Sequence, residues 1–276
     1  MTLFVVRHGD PAYQRPGEPF DPDPPLTALG RRQAAALAAR LAAMRLTHLY
    51  CSPAIRCLET AQPVAAAAGL RGRTVPWLSE FGCLWRYAGP ASEEMATQFP
   101  ALTAPEPPSE EAWGGARMEA TDDREVSHAA VRARAAAVTG FLLHDHPRTS
   151  ADRVCLCTHA GFGAFAYALL PTLLGNEESA PGVRSAFDLD NASLTVVDCS
   201  AEWNTVVRAN CTRHLAGLVA AVCAAPGCGY ATDTEWDLRV CPRCAGRLLT
   251  KCPACKSAIP ASAPSTCPEC GRSYRG

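Results

Sequence analysis

Four side chains in this sequence are suited to gripping and attacking an anion: Arg7, His8, Arg56 and His159. Arg7 and His8 end an apolar run, "LFVV", and precede Gly9, a residue that lets backbone approach a ligand closely. Each guanidinium presents paired N–H donors that match a phosphate dianion. The two imidazoles add a nucleophile and a further donor. A second chemical set is built from sulfur. Eight of the 15 cysteines fall in the last 54 residues, as "CAAPGC", "CPRC", "CPAC" and "CPEC". Thiolates so spaced give tetrahedral coordination by four cysteines, which suits Zn2+.

The elements that must carry these groups are readable in outline. "LFVV" reads as a strand of a parallel sheet, buried on both faces, and such sheets bind ligands beyond the carboxyl ends of their strands. "LTALGRRQAAALAARLAAM" predicts a helix capped by Thr27, with Ala34, Leu37, Ala38 and Leu41 on one face and Arg31, Arg32 and Arg40 outward. "THLYC" predicts a second strand. Ser52 and Pro53 then predict a capped helix through "AIRCLETA", with Arg56 in its first turn and Glu59 at ion-pair spacing from it. "HAAVRARAAAVTGFLLHDH" predicts a helix closed by His144 and His146, where imidazoles suit the C-terminal dipole. "RVCLCT" predicts a strand leading to His159, followed by a helix through "GFGAFAYALL", and "ASLTVVDCS" and "TVVRANCT" predict two strands joined by a turn. Cys155 and Cys157 are expected to act as small buried hydrophobes. Residues 85–125, rich in Pro, Gly and acidic clusters, are expected to form an irregular lid or insertion. The alternation predicts an α/β three-layer sandwich with a mostly parallel sheet over residues 1–215, and a small zinc-ribbon module over 223–276. Strand ends and helix starts share one side of such a sheet, so the four anion-gripping groups converge there beside positive helix N-termini.

The stretches "VVRHGD", "LTALGRRQA", "CSPAIRCLETA", "LSEFG" and "THAGF" occur in an order that resembles the histidine phosphatase (phosphoglycerate mutase-like) superfamily, over about residues 1–215. The resemblance implies that His8 attacks phosphorus and forms a phosphohistidine that water hydrolyses. It implies that Arg7, Arg56 and His159 hold the phosphoryl oxygens, with Gly9 and Gln14 lining the substrate site. Glu80 would be the general acid, with Glu93 and Glu94 as alternatives, because Glu80-Phe81-Gly82 is tighter than the family's usual spacing. No metal is implied for catalysis. Gln14 stands where the family often has Asn, and the lid lacks residues expected to hold a bisphosphate. These departures imply a phosphomonoester hydrolase; a phosphoglycerate-type mutase and a non-catalytic phosphate sensor are the alternatives.

The cysteine tail is expected to hold two structural Zn2+ ions. Sequential pairing assigns Cys223, Cys228, Cys241 and Cys244 to one and Cys252, Cys255, Cys267 and Cys270 to the other; interleaved pairing, or iron, also satisfies the spacing. Some fifty residues with few large apolar side chains cannot bury enough core to fold unaided, whereas a structural zinc supplies about 10–16 kcal/mol. The net charge of −1 gives no overall field for nucleic acid or an anionic membrane. The tail carries +3 against −4 for the remainder, compatible with a protein or nucleic-acid partner but short of a basic stripe. No apolar run reaches the roughly 18 residues of a membrane span, and no secretory signal pattern is present. Paired thiols then point to a reducing compartment, so a cytoplasmic location is expected, with a small phosphorylated substrate.

Overall fold

Six strands form one sheet in the order β3-β2-β4-β1-β5-β6. In this computed structural model residues 1–12, 21, 23–80, 90–104, 128–159, 189–200, 204–218, 220–233, 240–241, 243–260 and 265–274 are described, without the side chains of 128–134. The strands are β1 (Thr2–Arg7), β2 (His48–Cys51), β3 (Arg73–Thr74), β4 (Arg153–Thr158), β5 (Leu194–Cys199) and β6 (Asn204–Cys211). β1 to β4 pair in parallel, while β5 and β6 are antiparallel. The sheet is thus mostly parallel, as the alternation predicted.

Strand alternation sends side chains to two cores. Phe4, Val6, Leu49, Cys51, Cys155 and Cys157 pack against α1 (Ala28–Ala42) and α2 (Ile55–Ala68) on one face. Leu3, Val5, Val154 and Leu156 pack against α4 (His128–Asp145) on the other. The three layers follow from this period-two pattern.

Register then fixes the site. Arg7 pairs with Thr158, so His8 and His159 leave adjacent strands at the same level. Cys51 pairs with Cys157, which delivers Ser52 beside them. The His8 N–H donates to the Thr158 carbonyl at 2.9 Å, and the Ala192 N–H donates to the His8 carbonyl at 3.0 Å.

Three expectations are corrected. Residues 85–125 are not irregular throughout: α3 (Ser92–Gln98) lies within them, and Met95, Phe99 and Leu102 join the core. The remainder of that stretch, 85–89 and 105–125, lies outside the described residues, as do Gln14 and the helix expected through "GFGAFAYALL". Ser52 does not cap α2, whose N-cap position is Ala54. Its first free amide, Ile55 N–H, donates instead to the Asp23 carboxylate at 2.8 Å. The small C-terminal sheet begins earlier than residue 223, since β7 is Ala220–Cys223; it pairs with β8 (Ala231–Asp233) and β9 (Leu248–Leu249) in the order β8-β7-β9.

This second sheet is not a detached appendage. Leu29, in the first turn of α1 and fully buried, shares a cluster with Ala220, Val222, Ala231, Cys252, Ile259, Cys267 and Tyr274. The cysteine-rich module therefore packs on the end of α1 that faces the loop after β1.

Candidate active site and cysteine centres

The loop His8–Asp10 is wedged against α1 by two glycines. A Cβ on Gly9 would lie 2.5 Å from the Gly30 carbonyl oxygen, and one on Gly30 would lie 2.3 Å from that of Asp10. Thr27 caps α1 by accepting from Gly30 N–H at 2.9 Å, and its hydroxyl donates to the Asp10 carboxylate at 2.8 Å. Gln33 Oε1 accepts from Asp10 N–H at 2.7 Å. On the α2 side, Thr60 accepts from Gly9 N–H at 3.0 Å and donates to the Arg56 carbonyl at 2.7 Å. Backbone on both sides of His8 is thereby held by two helices.

His8 is 2% exposed. Its Nδ1 lies 2.7 Å from the Gly9 carbonyl, an acceptor only, so Nδ1 carries the proton and Nε2 keeps its lone pair. Burial, and then the charges of Arg7 and Arg56, hold its pKa well below 6.5; the Gly9 hydrogen bond opposes them. The ring is held neutral. The His159 ring stands 5.2 Å away, centroid to centroid, at 66°. His159 is itself buried, with Nε2 at 2.9 Å from Ser52 Oγ and 3.5 Å from Cys57 Sγ.

Two guanidiniums act electrostatically on His8. Arg7 donates to the Leu189 carbonyl at 2.5 Å. Arg56, 4% exposed, pairs with the buried carboxylate of Asp23 at 3.2 Å. The expected partner, Glu59, lies instead 3.6 Å from Arg31 and accepts from Leu26 N–H. The Nε–H of both Arg7 and Arg56 is buried without an acceptor among the described residues. Buried donors left unpaired cost about 1–3 kcal/mol each, a cost that an oxyanion ligand would remove.

Glu80 follows a 3-10 turn, Pro76–Leu78, whose Leu78 carbonyl accepts from Thr158 Oγ1 at 2.9 Å. That bond ties the segment to the carboxyl end of β4, next to His159. Glu93 and Glu94 sit exposed on α3, and Glu94 accepts from Gln98 at 3.0 Å. Asp10, Asp23 and Thr60 escaped the sequence reading, which gave Ser52 only a capping role. Asp10 adjoins the Arg-His-Gly word, which was a usable signal; nothing local marks Asp23, whose role arises from a loop returning to α2.

The eight tail cysteines gather in the sequential pairing: Cys223, Cys228, Cys241 and Cys244 in one group, Cys252, Cys255, Cys267 and Cys270 in the other. Sγ–Sγ separations are 3.4 Å for Cys223–Cys244, 3.7 Å for Cys228–Cys241, 3.7 Å for Cys252–Cys270 and 3.5 Å for Cys255–Cys267. A tetrahedron with Zn–S bonds of about 2.3 Å needs edges of about 3.8 Å. After the second cysteine of every pair the backbone turns left-handed, at Gly229, Ala245, Lys256 and Gly271. In the last three pairs the N–H of that residue donates to the carbonyl of the pair's first cysteine, at 2.9, 3.0 and 2.8 Å. Cys155 and Cys157 are buried hydrophobes, as expected: burial raises Cys155, and a hydrogen bond with Cys57 and then burial raise Cys157, while burial pushes Cys51 up to about 12.

Residues 3–212 match the family model described as histidine phosphatase superfamily, branch 1. The chain is 37% identical over 81 residues to the protein named Probable phosphoglycerate mutase GpmB of Yersinia enterocolitica, and 37% identical over 79 residues to an 8-oxo-(d)GTP phosphatase of Mycolicibacterium smegmatis. Each alignment covers 29% of this chain, and 38% and 24% of those relatives' own lengths. Among solved structures, an ecdysone phosphate phosphatase of Bombyx mori aligns with a TM-score of 0.52 at 18% identity, over 76% of this chain and 93% of its own. A phosphoserine phosphatase of Entamoeba histolytica aligns with a TM-score of 0.50 at 19% identity, over 78% and 98%. At these identities the structural likeness establishes the fold.

Proposed function

The chain belongs to the histidine phosphatase superfamily, and from that premise we propose that it hydrolyses small phosphomonoesters through a phosphohistidine on His8. The observation that carries the proposal is the buried, neutral His8 with Nε2 available, between two arginines whose buried Nε–H groups have no acceptor among the described residues.

His8 Nε2 attacks phosphorus and the bond from phosphorus to the ester oxygen breaks. The leaving alkoxide takes a proton from Glu80. Water then attacks the phosphohistidine, giving its proton to the Glu80 carboxylate as the N–P bond breaks and inorganic phosphate departs. Arg7, Arg56 and His159 donate to the non-bridging oxygens, and Gly9 and Gln14 contact the substrate. Loss of one such preorganised donor typically costs about 10²–10³ in rate. The arginines supply the positive charge in this scheme, and no step calls on a metal. The two four-cysteine groups hold structural Zn2+, a reading supported by their Sγ spacing and repeated left-handed turns. Docked on α1, that module completes the wall behind the catalytic loop.

The test is to incubate the chain with a ³²P-labelled aryl phosphomonoester, quench, and map the label. Acid-labile, base-stable phosphate on His8, with release of free phosphate and no label in His8→Ala, is expected. Transfer of the label to a sugar acid would replace the hydrolase with a mutase. Phosphate binding with neither label nor turnover would leave a sensor.

A further inference from the structure

At the opposite end of the sheet from His8, three side chains from separate segments converge: His48 at the start of β2, His146 just beyond α4, and Asp152 just before β4. One donor atom from each lies within 4.8 Å of the other two. The proposed reaction uses none of them. We propose that His48, His146 and Asp152 form a third divalent-metal site, with two imidazoles and one carboxylate, of the type that takes Zn2+ or a similar first-row ion.

The hydrogen bonds around the cluster support this assignment. A metal-bound side chain needs its coordinating atom free and its remaining polar atom held from outside. His146 Nε2 stands 2.9 Å from Tyr50 Oη, which leaves Nδ1 facing Asp152 Oδ2 at 3.0 Å. Two donor atoms of a first-row ion, with bonds of about 2.0–2.2 Å, are about 3 Å apart or slightly more. His48 Nδ1 is held by Thr47 Oγ1 at 2.9 Å, leaving Nε2. Asp152 Oδ2 also accepts from Ser150 Oγ at 3.0 Å. Each imidazole thus has an outer partner on its second nitrogen, and Ser150 orients the carboxylate. The two imidazole rings lie 4.4 Å apart, centroid to centroid.

Burial is graded as an accessible site requires. His146 is 2% exposed, whereas Asp152 and His48 are partly open to solvent, leaving a path for the ion and room for a water ligand. The ion would replace the proton that otherwise bridges His146 Nδ1 and Asp152. Asp145 and Arg73 also act on His48 electrostatically, with opposite signs. The donor set of two nitrogens and one oxygen selects a borderline ion over Mg2+ or Ca2+. The site ties the start of β2, the end of α4 and the entry to β4 together, far from phosphoryl transfer.

The test uses the full chain. Zn2+ is titrated against a chromophoric chelator, for the wild type and for His48→Ala and His48→Gln. The wild type is expected to bind one equivalent more than either variant, with phosphatase turnover unchanged. In a parallel Co2+ titration, the variants are expected to lose only a weak nitrogen- and oxygen-ligand component while thiolate-to-cobalt charge transfer persists. Charge transfer reports the cysteine centres separately, so their failure and the failure of this site are distinct results. Equal Zn2+ binding by wild type and both variants overturns the site and leaves a Tyr50–His146–Asp152 hydrogen-bond relay.

Discussion

His8 is kept neutral chiefly by being buried, and next by the positive charge of Arg7 and Arg56. The consequence is visible in pH dependence. Since kcat/KM reports the free enzyme, its acid limb, corrected for substrate ionisation, should fall below pH 6.5 rather than at it. A limb at or above 6.5 would mean that the ring is not the nucleophile. The sign for stability follows from linkage: the unfolded chain binds a proton on this histidine that the folded chain refuses. Stability from this group is full above about pH 6.5, its unfolded value, and is lost as pH falls toward the folded value. Arg7, His8, Arg56 and His159 were legible because each follows a strand or opens a helix in a readable position. Asp23 was not, because its two tasks, capping α2 and pairing Arg56, exist only once the chain has doubled back.

At the scale of elements, the approach of the His8–Asp10 loop to α1 should tolerate no added carbon. Gly30→Ala sets a Cβ at 2.3 Å from the Asp10 carbonyl oxygen, so backbone must shift. The expected cost is about 1–3 kcal/mol in unfolding free energy and at least about tenfold in kcat/KM, since small misplacements near the reacting atoms are costly. Gly140→Ala, in the exposed interior of α4 with nothing within 4 Å of the new Cβ, should instead stabilise by roughly 0.5–1 kcal/mol without touching turnover. Equal behaviour of the two variants, in melting and kinetics, would refute the wedge. α1 was readable because its cap is its own Thr27. α3 was not: at seven residues with only Met95 buried, it offers no periodicity to detect. The histidines near the end of α4 suggested a dipole interaction, and only the packed structure brings His48 and Asp152 to His146.

The molecule as a whole joins two unlike sources of stability. The α/β layers rest on two apolar cores, whereas the tail has two modest clusters around its cysteines, one of which borrows Leu29 from α1. Stripping metal with a strong chelator should therefore lower the melting temperature of the tail first and then depress turnover, because Leu29 neighbours Gly30 and the loop behind His8. Zn2+ added back should restore both. Full turnover in a chain shown by elemental analysis to hold no metal would disprove the coupling. The Leu29 contact also has an order in time. On the ribosome α1 emerges early, and its Leu29 must wait uncovered until the tail, with Cys252 and Cys267, arrives to close over it. Truncated translation products would then carry every group of the proposed reaction and still lack the contact that covers Leu29, so competence would be granted only to chains synthesised through Cys267.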